Sequence, residues 1–189
     1  VRSVSIIRCC DSAQDRGKFL FRVGDAIRAN AKMLAELEVR NGGKPLAEAE
    51  FDVADAANCF EFYAGLATKI HGETMQVPAN SLSFVVREPI GVCGQIIPWN
   101  YPLLTCVNAC IPAVLAGNAV LLKHSSRSAL CGDHFADAFA AAGAPQGLVT
   151  AIHTDHATAA RIAADRRIAY VAFTGSVSVG KHLSALAGL

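Results

Sequence analysis

Three short segments of this 189-residue chain carry side chains at spacings that could do chemistry. The first, Ile96-Ile97-Pro98-Trp99-Asn100-Tyr101-Pro102, runs from an apolar stretch through a proline-fixed turn into the start of a helix. Asn100 has two readings there. Asparagine is among the best residues for capping a helix N-terminus, and its amide can equally donate a hydrogen bond to an oxyanion developing on a carbonyl; residue type alone favours the cap. The second segment, Leu122-Lys123-His124-Ser125-Ser126-Arg127, places a cation and hydroxyls directly after an apolar run, where Lys123 could hold ribose hydroxyls or phosphate. Its alternative is an ordinary solvated loop. The third, Phe173-Thr174-Gly175-Ser176-Val177-Ser178-Val179-Gly180, reads as strand, glycine-bounded turn and helix start. That arrangement aims backbone N–H groups and the positive end of a helix dipole at an anion such as a pyrophosphate. It is not the GxGxxG fingerprint, and no Gly-Lys-Ser/Thr follows it, which excludes a P-loop.

The cysteines carry less. Cys9, Cys10, Cys59, Cys93, Cys106, Cys110 and Cys131 are odd in number and irregularly spaced, so reduced thiols are expected rather than a disulfide framework. Cys106 and Cys110 lie one helical turn apart and could share a metal, but no CxxC or clustered His accompanies them. Core packing is expected, and no metal site. Cys93 sits in an apolar run with no neighbouring base, the setting of a buried, inert thiol.

Positioning these segments requires elements, and the hydrophobic periods supply them. Ser12 and Asp15 resemble a capping box, after which Phe19, Leu20, Val23 and Ile27 repeat at helical spacing. A second helix over 31–40, with Met33, Leu34 and Leu37 on one face, stops at Asn41-Gly42-Gly43. A third over 48–67 buries Val53, Ala56, Phe60, Tyr63 and Ala67. After Gly72 the period changes to strands over 83–87 and 91–97, separated by Glu88-Pro89. From there strands (119–123, 148–152, 170–173) alternate with helices (101–115, 129–142, 158–164 and one from about 176). Short non-alternating apolar strands between helices predict a doubly wound parallel α/β sheet, in which ligands bind at the carboxyl ends of the strands. Residues 1–78 are thus expected to form a helical segment packing on a sheet-based part over 79–189.

Composition narrows the class. Hydrophobic residues make up 52% of the chain and charged residues 17%, against roughly 25% charged in an average soluble protein. A net charge of +1 without a basic stripe gives no electrostatic case for nucleic acid or an anionic membrane. With no long apolar run and no signal-peptide pattern at the start, a cytoplasmic location is expected.

Taken together, these segments resemble the aldehyde dehydrogenase superfamily. Pro98-Trp99-Asn100-Tyr101-Pro102 is similar to its Pro-Trp-Asn-aromatic-Pro motif, and Phe173-Thr174-Gly175-Ser176 with Gly180 to its Phe-Thr-Gly-Ser cofactor turn. Gly43-Lys44-Pro45, Asp52-Val53, Tyr63-Ala64-Gly65, Arg87-Glu88-Pro89, Gly91-Val92 and Ala116-Gly117-Asn118 follow in the family's order. The resemblance implies a Rossmann-like fold and NAD or NADP as cofactor, with an aldehyde substrate and a homo-oligomer. It makes Asn100 the oxyanion-hole donor. Ile96, Ile97, Pro98 and Trp99 would line the cofactor cleft, and Lys123 would hold the adenosine ribose. Ser126 would influence cofactor choice, and Thr174, Gly175, Ser176 and Val179 would contact the dinucleotide. The helix face bearing Tyr101, Leu104, Thr105 and Asn108 would line the substrate passage.

The implied chemistry is covalent: a Cys thiolate attacks the aldehyde, the thiohemiacetal passes hydride to NAD(P)+, and a Glu-activated water releases the acid. In the family that Glu follows the cofactor turn by more residues than remain here, and the nucleophilic Cys lies further on. None of the seven cysteines falls at its motif, so the catalytic domain is expected to be absent and the isolated chain inactive. A non-catalytic nucleotide-binding or partner-binding remnant is the alternative. Two departures stand at the adenosine end: the family's Lys-Pro-Ser-Glu reads Lys123-His124-Ser125-Ser126, and a glycine-bearing turn reads His153-Thr154-Asp155-His156.

Overall fold

The structure, a computed structural model, describes residues 12–78 and 80–187. Helix α1 (Ala13–Ala29) opens on the expected capping box, Ser12 Oγ accepting the Asp15 N–H at 3.1 Å. It buries Phe19, Leu20, Val23 and Ile27. Helix α2 (Ala31–Gly42) ends at Gly43, whose φ of +73° is the left-handed conformation glycine adopts without strain. Its buried face is Leu34, Ala35 and Glu38, so Met33, expected inside, is instead 39% exposed. Helix α3 (Leu46–Leu66) lies against α1 so closely that a Cβ at Gly17 would come within 2.8 Å of the Ala64 carbonyl oxygen.

A two-stranded antiparallel ribbon follows, β1 (Glu73–Met75) with β2 (Ser83–Val85). The first of these strands has no signal in the apolar period, being three residues long and exposed throughout. The second stops two residues short of the expected 87.

The main sheet contains β3 (Val92–Ile97), β4 (Ala119–His124), β5 (Val149–Ile152) and β6 (Ile168–Phe173), all parallel, in the order β5-β4-β3-β6. Helices α4 (Pro102–Leu115), α5 (Ala129–Ala141), α6 (His156–Ala163) and α7 (Val177–Ala187) alternate with the strands. Because a crossover between parallel strands is right-handed, the direction of travel decides which face each helix covers. From β3 to β4 to β5 the chain moves one way, so α4 and α5 share a face. It then returns past β3 to β6, which puts α6 on the other. Helix α6 starts two residues earlier than its apolar pattern because Asp155 caps it, Oδ1 accepting the Thr158 N–H at 2.8 Å.

One apolar core joins the three leading helices to α4, α5 and the sheet. At its centre the rings of Phe19, Phe60, Phe135 and Phe139 pack with centroids 5.1 to 6.1 Å apart. These four residues come from α1, α3 and α5, so the helical segment and the sheet layer are held by shared aromatic packing.

Candidate functional site

The strand order reverses at β3, which pairs with β4 on one side and β6 on the other. Such a switch point opens a crevice beyond the strand ends, and here three segments are tied to it. The Ile96 carbonyl accepts the Thr174 N–H at 3.1 Å, and the Ile97 carbonyl accepts the Ser125 N–H at 3.0 Å. The turns after β3, β4 and β6 therefore meet, as the sequence predicts for its three chemistry-bearing segments.

Alternation along the strands sorts the side chains. Ile97 is buried in the α4–α5 core at 3% exposure, so only its backbone reaches the crevice. Ile96 lies on the opposite face, in register with Lys123 and Phe173. With Gly94, Ile152 and Ala159, Ile96 and Lys123 line a cavity of about 10 Å³ beneath α6, about one water's worth of space. Lys123 is half-buried and has no ion pair among the described residues. Burial lowers its pKa from the ordinary lysine value.

Thr174, Gly175, Ser176 and Val179 are all exposed where β6 passes into α7. The glycines there answer to one ring. A Cβ on Gly175 would lie 2.5 Å from Phe173 Cζ, and one on Gly180 would lie 3.3 Å from Phe173 Cε1. Phe173 is thus folded under the turn, and a side chain at 175 would have to displace its ring or the turn.

In the β3–α4 turn, Pro98 is half-buried, and Trp99 and Tyr101 are 44% and 49% exposed. Asn100 does not cap α4. The N-cap residue is Tyr101, which makes no side-chain cap bond, and Asn100 is exposed with no hydrogen bond among the described residues. The cap comes from elsewhere, with Glu38 Oε1 of α2 accepting the Leu103 N–H at 3.0 Å. Sequence reading missed Glu38, whose only signal is an acid four residues after the buried Leu34 on the inner face of α2. Lys44 Nζ contacts Glu38 Oε2 at 2.8 Å and also bonds Asp52. Burial lowers the Lys44 pKa, but the two carboxylates outweigh it and hold it above the ordinary value.

Tyr101, just before α4, with Thr105 and Asn108 on it, forms an outward stripe opposite the buried Leu103, Cys106, Val107, Cys110 and Ile111, while Leu104 on the same face is half-buried against the core. Among the described residues neither Thr105 nor Asn108 makes a side-chain hydrogen bond, so both remain available outward.

After β4, Ser125 caps the short turn Ser126–Ser128 by accepting the Arg127 N–H at 3.3 Å, which leaves Ser126 exposed. His124 is not a surface cation. It is 3% exposed, packs against Gly132 and pairs Nδ1 with Ser128 Oγ at 3.2 Å. Burial, with the nearby charges of His153 and Lys123, lowers its pKa to about 4 despite Asp133. Arg127 lies over the Trp99 ring at 5.2 Å. Three of the family-like fragments form a single joint: Asn118 Oδ1 accepts the Ile90 and Gly91 N–H groups at 2.7 and 3.0 Å, and Gly117, at φ +90°, abuts Pro89.

Cys93, Cys106, Cys110 and Cys131 are buried, and burial raises the thiol pKa of Cys93, of Cys106, and of Cys131, the last to about 11. Cys106 and Cys110 bring their Sγ atoms to 3.9 Å. No group of three potential metal ligands occurs among the described residues. Cys9 and Cys10 lie outside them. No helix among the described residues is long and apolar enough to cross a membrane.

The aldehyde dehydrogenase family model matches residues 11–189. An aldehyde dehydrogenase of Aspergillus niger is 40% identical over 169 residues, covering 89% of this chain and 34% of the relative. The betaine aldehyde dehydrogenase of Bacillus subtilis is 39% identical over 174 residues, 91% of this chain and 36% of the relative. Among solved structures, a variant of the Staphylococcus aureus betaine aldehyde dehydrogenase in complex with NAD+ superposes with a TM-score of 0.92. It is 32% identical, covering 96% of this chain and 37% of that one. The chain spans about a third of the length of the curated relatives it matches. With the switch-point geometry and a match along nearly all its residues, the chain belongs to the aldehyde dehydrogenase family.

Proposed function

We propose that these residues form the dinucleotide-binding part of an NAD(P)-dependent aldehyde dehydrogenase that oxidises an aldehyde to a carboxylic acid. One observation carries the reading. An uncapping, exposed Asn100, a Lys123 without an ion pair among the described residues and a helix opening at 174–177 meet around the end of β3. Two features support a dinucleotide here: a glycine at 175 against the Phe173 ring, and a Lys123 with no ion-pair partner among the described residues. NAD(P)+ when bound supplies the hydride acceptor.

In this reading Lys123 holds ribose hydroxyls, and its half-buried stem fixes where the ammonium sits. Ile96, the Ile97 backbone, Pro98 and Trp99 form the cleft wall. Thr174, Gly175, Ser176 and Val179 bring backbone N–H groups and the α7 dipole to the anionic bridge. The Asn100 amide donates to the oxyanion that forms as a thiolate adds to the aldehyde carbonyl. Removing one such donor typically costs about 100- to 1000-fold in kcat. In this reading Cys93, Cys106 and Cys131 are not the nucleophile, because burial favours their protonated thiols. The outward stripe Tyr101, Thr105 and Asn108, with Leu104 on the same face, lines the substrate approach.

Trp99 is the only tryptophan and lies in the proposed cleft, so its fluorescence tests the reading directly. Titration of the chain with NAD+ should quench it saturably, and Lys123→Ala should weaken the binding about tenfold, the low end of what a hydrogen bond from a charged group is worth. No saturable change up to millimolar NAD+ counts against the reading. Steady NADH production at 340 nm by this chain with any aldehyde would contradict the placement of the nucleophile elsewhere.

A further inference from the structure

Asn100 sits between two aromatic residues, and each is held by a cation from a different element. Arg127, in the turn after β4, lies 5.2 Å from the Trp99 ring centroid, and Lys44, between α2 and α3, lies 4.8 Å from the Tyr101 ring centroid. Both distances fall within the ~6 Å over which a ring face attracts a cation. Lys44 is also the centre of a polar cluster, bonded to Glu38 of α2 and Asp52 of α3, and Glu38 bonds the Leu103 N–H at the start of α4. The end of α2 abuts the same turn, where a Cβ on Gly42 would stand 3.8 Å from the Trp99 carbonyl oxygen.

We propose that Glu38 and Lys44 are positioning residues for Asn100: Glu38 supplies the helix cap that the β3–α4 turn does not supply for itself, and Lys44 fixes Tyr101 beside it. The physical case is one of competition. An asparagine at the mouth of a helix ordinarily turns its side chain onto the first free N–H groups. At the Leu103 N–H that place is taken by Glu38, which is 1% exposed and carries a negative charge at the positive end of α4. Among the described residues the Asn100 side chain has no partner, and its NH2 is not held against the helix mouth. A buried carboxylate at a helix end needs a counter-charge, and Lys44 supplies it from a position that also faces Tyr101. The value of this arrangement for catalysis rests on the oxyanion reading of Asn100, whereas the cap itself does not.

The test uses the whole chain and reads the turn rather than activity. In the native chain the Leu103 amide should exchange with solvent at least 100-fold more slowly than the Asn100 amide three residues before it. Equal rates overturn the proposal whatever the variants do. Glu38→Leu, which keeps the volume and loses the acceptor, should speed Leu103 exchange at least tenfold and about double the acrylamide quenching of Trp99. Glu38→Gln, which keeps an acceptor oxygen, should stay within twofold of native in both. Unchanged exchange in a folded Glu38→Leu, or Glu38→Gln as disruptive as Glu38→Leu, overturns it. For the catalytic half, residues 11–189 can replace the matching segment of the Bacillus subtilis enzyme. Glu38→Leu should there lower kcat at least tenfold with the KM for NAD+ unchanged, and an unaltered kcat overturns the positioning role. If instead Asn100→Ala leaves kcat unchanged, the oxyanion reading fails while the exchange measurements still decide the cap.

Discussion

His124 shows how far burial changes what a residue can do. As a surface histidine beside Lys123 it would add positive charge to a nucleotide site, but at a pKa of about 4 it is neutral throughout the physiological range. This has a consequence for stability. The unfolded chain takes up this proton near the ordinary 6.5 and the folded chain only near 4. Stability linked to His124 is therefore complete above pH 6.5 and lost as pH falls from there through 4. Its full size is about 3 kcal/mol. Denaturant midpoints measured from pH 7 to 4 should fall for the native chain and fall less for His124→Asn, and identical slopes would reject the assignment. Ser126 makes a complementary case. It is exposed because Ser125 has taken the capping role, so its hydroxyl is available outward. A serine can donate to a 2′-phosphate that a carboxylate would repel, and we therefore expect NADP+ to be accepted beside NAD+. Ser126→Glu in the Bacillus chimera should lower kcat/KM for NADP+ about tenfold more than for NAD+. Equal losses would show that Ser126 does not set the choice.

Among the elements, the turn between β6 and α7 depends on the space taken by Phe173. Gly175→Ala places a methyl group inside that ring's volume, and either the ring or the turn must move. Because the turn is exposed and lies outside the main core, the change should cost the chain only about 1 kcal/mol, within the range for a local steric insertion. Its effect on NAD+ binding should be larger, about tenfold or more, because the backbone N–H groups are displaced from the anionic bridge. A thermal melt and a Trp99 titration on the same variant separate the two, and unchanged affinity would place the dinucleotide elsewhere. The joint at Asn118 is expected to behave in the opposite way. Asn118→Ala removes the shared acceptor of two part-buried N–H groups, a loss of about 1 to 3 kcal/mol at the net worth of about 0.5 to 1.5 per hydrogen bond. Tm should drop accordingly, with little change in nucleotide affinity for the fraction that remains folded.

Across the whole molecule, the apolar surface is unevenly covered. The β1–β2 ribbon and the link to β3 expose Met75, Leu82, Phe84, Val86 and Ile90, and β6 exposes Tyr170 on the face away from α6. A sheet edge with unpaired backbone groups beside apolar side chains favours association. The isolated chain is therefore expected to self-associate at tens of micromolar in light-scattering chromatography and to bind a dye specific for apolar surface. A sharp monomer peak with no dye binding would contradict this.

Most of the architecture was legible because it follows from local rules. The switch from a helical to a strand period near Gly72, the alternation of apolar strands with helices, and the capping box at Ser12 each express a preference that a few neighbouring residues settle between themselves. The same holds for the three strand ends, whose placement at one crevice follows from parallel order and right-handed crossovers. The exposed β1 strand was not legible, since three solvent-facing residues carry no apolar period. Nor were the roles of single polar residues. Whether Asn100 caps a helix or stays free depends on Glu38, sixty-two positions earlier in the chain. Whether His124 is a surface cation or a neutral buried ring depends on Gly132, which makes room for it. Periodicity reports which face of an element is buried, but a hydrogen-bond partner or a change in protonation is decided by what another element brings to that face, and only the tertiary structure brings those elements together.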